Sequence, residues 1–131
     1  MARVIDTDVF SYFLKDDTRA DLYKKHTNNQ FLIVSFMTIA ELEKWSLRAV
    51  WGARMRNKLE KTLARYYVQN TTREICRLWA QISDEGRQTG KNIDAADAWI
   101  AATALYFNIP LVTHNRTDFQ SINGLQVISE Q

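Results

Sequence analysis

The sequence has little of what marks secreted, hinged or membrane-spanning chains. It holds one cysteine, Cys76, in 131 residues, so no internal disulfide can form and a reducing compartment such as the cytoplasm is expected. Four glycines and one proline leave no material for a linker, and we expect one domain over residues 1–131. No apolar run reaches the roughly 18 residues that a membrane-spanning helix requires. No signal peptide is predicted before the first apolar run.

The charges are unevenly placed although their sum is small. The formal net charge is +2, but residues 44–65 carry +6, which leaves −4 for the rest of the chain. A basic stretch beside an acidic remainder suits an enzyme that uses a metal and acts on a polyanion. The alternative is an ordinary solvated helix face.

Short apolar runs alternate with helical patterns along the whole chain. The runs predict strands over 3–5, 31–34, 66–69, 110–113 and 124–128. Helices are predicted from residues 9, 18, 38, 53, 72 and 94, with Thr18, Thr38 and either Thr71 or Thr72 as N-caps. The helix from 72 is expected to end before a loop over 85–92. Because the connections are too long for hairpins, the pattern predicts an α/β protein, a small parallel sheet covered by helices on both faces.

Oxygen-bearing side chains follow several of these strands. Asp6 comes directly after the first strand, and Glu41 is expected in the first turn of the helix after the second. Asp97 stands in the first turn of an alanine-rich helix, and Asn115 and Asp118 follow the fourth strand. In open parallel sheets the ligand site lies beyond the carboxyl ends of the strands. Carboxylate oxygens there suit Mg²⁺ or Mn²⁺, so the sequence predicts a metal site at this edge.

Each acid also has a purely structural explanation. Glu41 completes a capping box with Thr38, and Asp97 suits the start of its helix without any further role. Asp118 alone is typical of a loop or an N-cap. Asp6 is harder to explain in this way, because an acid after a buried strand end serves no core. Four separate segments that deliver acids to one edge are far more specific than any single member.

The two histidines, His26 and His114, do not suggest metal-free acid–base catalysis. His26 falls in a surface helix remote from the acids. His114 neighbours Asn115, so its side chain either touches a substrate or points away. The sequence contains no Ser-His-Asp arrangement, no glycine-rich phosphate loop and no cysteine metal site.

In these motifs the chain resembles the PIN-domain nucleases, specifically the VapC toxins of bacterial toxin–antitoxin pairs. Four segments carry the resemblance, the last two being the most distinctive: VIDTD (4–8), IAEL (39–42), DAADAWIAATA (94–104) and LVTHNRTDF (111–119). The resemblance implies a PIN-like three-layer sandwich with a mostly parallel sheet of four to five strands. It also implies a homodimer, a cognate antitoxin protein as partner, and Mg²⁺- or Mn²⁺-dependent cleavage of RNA.

The resemblance also assigns the site residues. By position Asp6, Glu41 and Asp97 match the three core acids of the family, which are expected to hold the metal. Asn115 matches the fourth place in the catalytic site, and Asp118 follows closely. RNA phosphates would be contacted by the basic helix, with these candidates: Arg54, Arg56, Lys58 and Arg65.

One position departs from the family pattern. Asp8 stands where the family usually has asparagine, so its charge either strengthens metal binding or caps the following helix. Thr7 or Thr113 is expected to hydrogen-bond one of the acids and hold it in place.

Two other functions compete with this interpretation. The first motif also resembles that of haloacid-dehalogenase-type phosphatases, in which Asp6 would be the nucleophile and Asp8 a general acid. Asp94 and Asp97 could imitate their later acidic pair, but the chain has no convincing lysine partner. The other alternative is a catalytically inactive PIN domain that binds RNA or protein. The intact acids at every motif position argue against it.

Overall fold

The computed structural model describes all 131 residues, and its centre is one five-stranded sheet. The strands are β1 (Ala2–Ile5), β2 (Phe31–Ser35), β3 (Tyr67–Gln69), β4 (Leu111–Val112) and β5 (Val127–Ile128). Their order is β3-β2-β1-β4-β5, and every neighbouring pair is parallel. This confirms the predicted α/β class and the parallel sheet.

Helices fill the connections between the strands. They are α1 (Thr7–Leu14), a 3-10 helix (Thr18–Leu22), α2 (Lys24–Thr27), α3 (Phe36–Arg48), α4 (Ala53–Leu63), α5 (Arg73–Thr89), α6 (Ala95–Phe107) and α7 (Arg116–Phe119). None of them combines the length and the apolar composition that crossing a lipid bilayer demands.

The sheet is buried on both faces, which explains why its strands are continuous apolar runs. Successive side chains of a strand point to opposite faces. Val4 and Leu111 therefore pack with α5, α6 and α7, whereas Ile5 and Val112 pack with α1, α3 and α4. The molecule has the three layers that the sequence predicts.

The strand order reverses beside β1. The chain moves from β1 to β2 and β3 on one side, and then returns to place β4 on the other side of β1. The helix after β1 covers one face of the sheet, whereas α5 and α6, which lead to β4, cover the other. A crevice therefore opens beyond the carboxyl ends of β1 and β4, where ligands bind in sheets of this kind.

The N-cap of the helix α3 lies three residues earlier than predicted. The Oγ of Ser35 accepts a hydrogen bond from the backbone N of Met37 at 3.0 Å, so Ser35 is the N-cap. The hydroxyl of Thr38 is instead 2.9 Å from the hydroxyl of Thr7 in α1. The capping box that the sequence suggested for Thr38 and Glu41 is therefore wrong, and Glu41 lies in the second turn of the helix.

The helix predicted over 18–26 is also divided. It forms the 3-10 helix and α2, and its N-cap is Asp17 rather than Thr18. The Oδ1 of Asp17 accepts from the backbone N of Arg19 at 2.9 Å. A carboxylate one residue upstream thus replaces the predicted hydroxyl as the cap.

The helix α5 starts as predicted but is longer. Thr72 is its N-cap, since its Oγ1 accepts from the backbone N of Ile75 at 3.1 Å. The helix continues through the expected loop to Thr89 and ends at Gly90, whose φ of +77° suits glycine. Gly86, inside the helix, allows the chain to fold back closely, because a Cβ there would lie 2.6 Å from the carbonyl oxygen of Lys91.

The helix α6 is rich in alanine and has more buried residues than any other helix of the fold. Its alanines Ala98, Ala101, Ala102 and Ala104 are all 0% exposed. It packs against α5, β1 and β2, and small side chains let these elements approach closely. The close packing fixes the start of α6, and with it Asp97, beside the carboxyl end of β1.

Enlarging one of these alanines should therefore destabilise the protein. We expect Ala101→Leu to lower the free energy of unfolding by about 1–3 kcal/mol, because the added atoms have no space between α6 and its neighbours. Urea unfolding followed by circular dichroism measures the change. The matched control is Ala80→Leu on the exposed side of α5, which should leave stability nearly unchanged. Equal stability of the two variants would contradict close packing at α6.

Candidate active site

Asp6 is held where the central strand ends. The register pairs Ile5 of β1 with Val112 of β4, so the next residues, Asp6 and Thr113, lie side by side. The Oγ1 of Thr113 donates to Asp6 Oδ2 at 2.7 Å, and the backbone N of Thr7 donates to Oδ1 at 2.7 Å. Asp6 is only 6% exposed. Both carboxylate oxygens are thus oriented by neighbours, and the expected contact of Thr113 with an acid is confirmed.

Glu41 is joined to the same place through Thr7. The hydroxyl of Thr7 donates to Glu41 Oε1 at 2.7 Å and lies 2.9 Å from the hydroxyl of Thr38. Because the Thr7 hydroxyl has one proton, it donates to the carboxylate and accepts from Thr38. This short chain of hydrogen bonds connects α1 to α3. It confirms the expectation that Thr7 holds an acid.

Asp8 ties α1 to the loop after β4. Its Oδ1 accepts from the backbone N of Val9 at 2.6 Å, and its Oδ2 accepts from the backbone N of His114 at 3.0 Å. Of the two roles expected for Asp8, the structure shows a contact at the start of the helix. The bond to His114 is an additional contact that the sequence did not suggest.

Asp97 opens onto a polar cleft. The cleft has a volume of about 580 Å³, and its lining includes Asp94, Asp97, Asp118 and one cationic side chain, that of Lys91. Asp94 is the N-cap of α6, with its Oδ2 accepting from the backbone N of Ala96 at 3.1 Å. The start of α6 and the start of α7 thus face each other across the cleft.

Burial and, for Asp6 and Asp97, the charges of neighbouring carboxylates raise the pKa of acids in this cluster. Burial, and then the charge of Asp8, raises the pKa of Asp6 well above its ordinary value, and burial also raises the pKa of Asp8. Burial raises the pKa of Asp97 to about 7, and nearby carboxylates add to the effect in this order: Asp118, Asp94, Glu41 and Asp8. Acids from four separate segments therefore share one electrostatic environment.

The two candidates for the fourth site residue differ in their surroundings, and which of them serves in the site stays a prediction. Asp118 lines the cleft, and its charge is the largest of those that act on Asp97. The side chain of Asn115 makes no hydrogen bond within the chain, although its backbone N donates to Thr113 Oγ1 at 3.0 Å. The acid facing Asp97 is therefore Asp118.

Two of the basic candidates do not join the acids. Lys58 Nζ pairs with Asp16 Oδ2 at 2.7 Å, at the end of α1 away from Asp6. Arg65 lines another cleft with Asn28 and Asn29, beside the first residue of β2. Both lie toward the amino ends of the strands, opposite the carboxylates. The RNA contacts assigned to this helix and its flank, including Arg54 and Arg56, stay a prediction.

The carboxylates do not form a ready three-ligand cage. Nowhere do three His, Cys, Asp or Glu side chains converge closely enough to hold one ion. The expectation that Asp6, Glu41 and Asp97 hold the metal, with Glu41 either as a ligand or beside a metal-bound water, stays a prediction. The carboxylates of Asp6 and Glu41 accept hydrogen bonds from threonine and backbone donors.

The comparison with known proteins agrees with this geometry. The model of the PIN domain family matches residues 3–125. The chain belongs to the PIN-domain family. It is 30% identical to Ribonuclease VapC1 of Haemophilus influenzae strain R2866 over 128 residues, which cover 96% of each chain. It is 29% identical to the VapC1 of strain ATCC 51907, again over 96% of each chain. These relatives identify it as a VapC-type PIN-domain protein.

Solved structures of this type share the fold. VapBC-1 from nontypeable Haemophilus influenzae is 28% identical, with a TM-score of 0.79 over 98% of each chain. VapBC2 from Rickettsia felis, solved with a DNA fragment from its promoter, is 22% identical, with a TM-score of 0.88 over 100% of each chain. The parallel sheet and its helices are therefore those of VapC-type PIN domains.

The donor set of this PIN domain fits a small divalent cation. Every acid in the cluster offers oxygen, which Mg²⁺ and Mn²⁺ prefer. Mg²⁺ is commonly held by one or two carboxylates, with water and substrate phosphate as its other ligands. Asp97 and one oxygen neighbour suffice for that, so the absence of a three-carboxylate cage does not conflict with it. The raised pKa values show where positive charge would be most stabilising.

Sequence reasoning missed one residue that contacts the site. Tyr23 is 0% exposed, and its hydroxyl lies 2.5 Å from Nδ1 of His114. It belongs to the segment between the 3-10 helix and α2, which the sequence described only as a second short helix. A buried tyrosine near a strand end gives no sequence signal for a partner 91 residues away.

The raised pKa of Asp97 predicts a pH-dependent stability. Its pKa of about 7 in the folded protein exceeds the ordinary value of 3.8. The unfolded chain therefore releases this proton first, and the stability contributed by Asp97 declines as the pH rises from about 4 to about 7. Asp97→Asn removes that decline. In chelator-treated protein we expect the variant to gain stability over the wild type between pH 4.5 and pH 8.

Urea unfolding at the two pH values measures this difference. Glu60→Gln, which removes an exposed carboxylate of α4, is the control and should follow the wild type. An Asp97→Asn variant whose stability relative to the wild type is the same at both pH values would show that Asp97 is not held in a repulsive environment.

Proposed function

We propose that this PIN domain is a metal-dependent endoribonuclease and the toxin of a toxin–antitoxin pair. The observation that carries the proposal is the convergence of acids on Asp97 from four segments of the chain. Relatives named Ribonuclease VapC1 align with this chain over nearly its full length. The substrate is RNA, and the reaction is hydrolysis of a phosphodiester bond.

The acids have separate roles in this reaction. Asp6 and Asp97 would hold the cation, and Glu41 would either join them or position the attacking water. Asp118 acts across the cleft from Asp97. When bound, Mg²⁺ or Mn²⁺ supplies positive charge at the phosphodiester and promotes ionisation of the attacking water. The hydrogen bonds from Thr113 and Thr7 keep Asp6 and Glu41 in place and limit the reorganisation that binding requires.

A protein partner follows from the same surface. VapBC structures share the fold, and an acidic cleft of this kind is complementary to a basic side chain. We infer a cognate antitoxin that covers the cleft and inserts a basic side chain among the carboxylates. We also infer that the protein forms a homodimer, as the resemblance to the VapC toxins implies.

No observation favours the phosphatase alternative over the nuclease. Family membership places the chain among PIN domains. Both oxygens of Asp6 accept hydrogen bonds from Thr113 and Thr7, an arrangement that suits an oriented ligand as well as a nucleophile. The other alternative, an inactive domain that binds RNA, is distinguished from a nuclease by an experiment on metal dependence.

Chelation should abolish cleavage. We expect excess EDTA to stop the hydrolysis of single-stranded RNA, and added Mg²⁺ or Mn²⁺ to restore it, because the carboxylates alone cannot neutralise the phosphodiester. Gel analysis of a labelled RNA gives the rate. Unchanged cleavage in EDTA would exclude the metal mechanism, and RNA binding without cleavage under all conditions would favour the inactive alternative.

Removal of either proposed ligand should have the same effect as chelation. The stabilisation a metal provides is several kcal/mol, so Asp6→Asn and Asp97→Asn should each lower kcat/KM by at least about 100-fold. Both variants should remain folded by circular dichroism. Asp84→Asn, on the exposed surface of α5, is the matched control and should keep full activity. An Asp97→Asn variant that unfolds, or that keeps its activity, would support the helix-start role instead.

A further inference from the structure

The hydroxyl of Tyr23 lies among three polar groups in the interior. It is 2.5 Å from Nδ1 of His114, 3.4 Å from the carbonyl oxygen of Thr113, and 3.0 Å from the backbone N of Glu130. The Glu130 N–H donates to the phenol oxygen. The phenol has one proton, and we infer that it is donated to the nearer of its two possible acceptors, Nδ1 of His114, rather than to the carbonyl oxygen of Thr113.

This hydrogen bond fixes the tautomer of His114. A neutral imidazole whose Nδ1 accepts carries its hydrogen on Nε2. The ring is also held edge-on by Tyr12 and Tyr23, with centroids 5.7 Å away and interplanar angles of 79° and 85°. Nε2 makes no hydrogen bond within the chain, and His114 is partly exposed. The result is a rigidly held ring with a free donor.

The donor lies beside the acidic cluster. The backbone N of His114 donates to Asp8 Oδ2 at 3.0 Å, and the preceding residue, Thr113, donates to Asp6. The imidazole also lies within electrostatic range of the Asp8 carboxylate. The sequence left open whether this ring touches a substrate or points away.

We propose that the Nε2–H of His114 donates a hydrogen bond to a phosphate oxygen of the RNA bound at the acidic cluster. His114 is then a substrate-binding residue, and Tyr23 is a positioning residue that acts through it. The proposal rests on the proposed ribonuclease function.

A neutral donor suits this place better than a lysine or an arginine. A cationic side chain among these carboxylates would pair with them and would compete with the divalent cation. An imidazole with a fixed Nε2–H can bind phosphate while it leaves the negative charge of the site intact. Because the tautomer is already fixed in the free protein, RNA binding requires no free energy to select it.

The competing explanation is a structural brace. Tyr23 also holds the segment that contains Glu130, and the carboxylate of Glu130 lies 2.7 Å from Nε2 of His26. On that explanation the loss of Tyr23 or His114 would lower stability, and activity would change only in proportion. Substitutions of His114 whose side chains replace one ring nitrogen at a time distinguish the two explanations.

The test uses His114→Asn and His114→Gln. The asparagine amide can replace Nδ1 as the partner of Tyr23 but places nothing at Nε2, whereas the glutamine amide reaches the Nε2 position. We expect His114→Asn to raise KM about 10-fold, which corresponds to about 1.4 kcal/mol, with kcat within about 3-fold of the wild type. His114→Gln should return KM to within about 3-fold.

The positioning role has its own variants and readout. Tyr23→Phe should raise KM about 3-fold and remove the Nε2–H signature from the imidazole ¹⁵N shifts, which two histidines make simple to assign. Tyr67→Phe, an exposed tyrosine of β3, is the matched control and should change neither. RNA affinity by fluorescence anisotropy, with Ca²⁺ in place of Mg²⁺, gives a readout without cleavage and should follow KM.

The outcomes distinguish this proposal from the function on which it rests. If the wild type cleaves RNA and the two His114 variants have the same KM, whether normal or raised, the Nε2 contact is wrong while the nuclease stands. Losses that follow only the unfolding midpoint would likewise overturn it in favour of the brace. If the wild type neither cleaves nor binds RNA, the proposed function and the His114 contact both fail.

Discussion

The burial of several carboxylates close to one another at one edge of the sheet is the constraint on which the rest of this structure depends. Asp6 is buried at the end of the central strand beside Asp8, and the pKa of each is raised. Asp97 faces the charge of Asp118 and has a pKa of about 7. Protons relieve the repulsion when no other cation is present. A site that gains so much from positive charge is well suited to a divalent cation.

The fold keeps these groups together through hydrogen bonds between elements that are distant in sequence. Thr113 of the β4 end holds Asp6, Thr7 of α1 holds Glu41, and the backbone after β4 holds Asp8. The parallel register of β1 and β4 makes the first of these contacts unavoidable, because it places the residues after both strands side by side. The close packing of the alanine-rich α6 then brings Asp97 to the same edge. Position is thus set by the sheet, and orientation by hydroxyl and backbone donors.

The sequence was sufficient for the strands, the parallel sheet and the acids at its carboxyl edge, because those follow from apolar runs and local spacing. It failed where a tertiary contact chose between equivalent local options. Ser35 and Thr38 are both residue types that cap helices well. In the structure the hydroxyl of Thr38 contacts Thr7, and the hydroxyl of Ser35 caps the helix. The bond between Tyr23 and His114 joins residues that no local pattern relates. The basic residues of α4 form a clear charge pattern in the sequence, but that pattern does not predict the edge of the sheet at which they lie.

The most direct test of this account is a calorimetric titration of Mn²⁺ into chelator-stripped protein at pH 6.5, in two buffers of different ionisation enthalpy. The account predicts binding accompanied by proton release, because a carboxyl with a pKa of about 7 must lose its proton to share the site with a cation. Asp97→Asn should bind more weakly and release fewer protons. Absence of binding, or binding that releases no protons, would contradict the claim that a divalent cation relieves the repulsion among these acids.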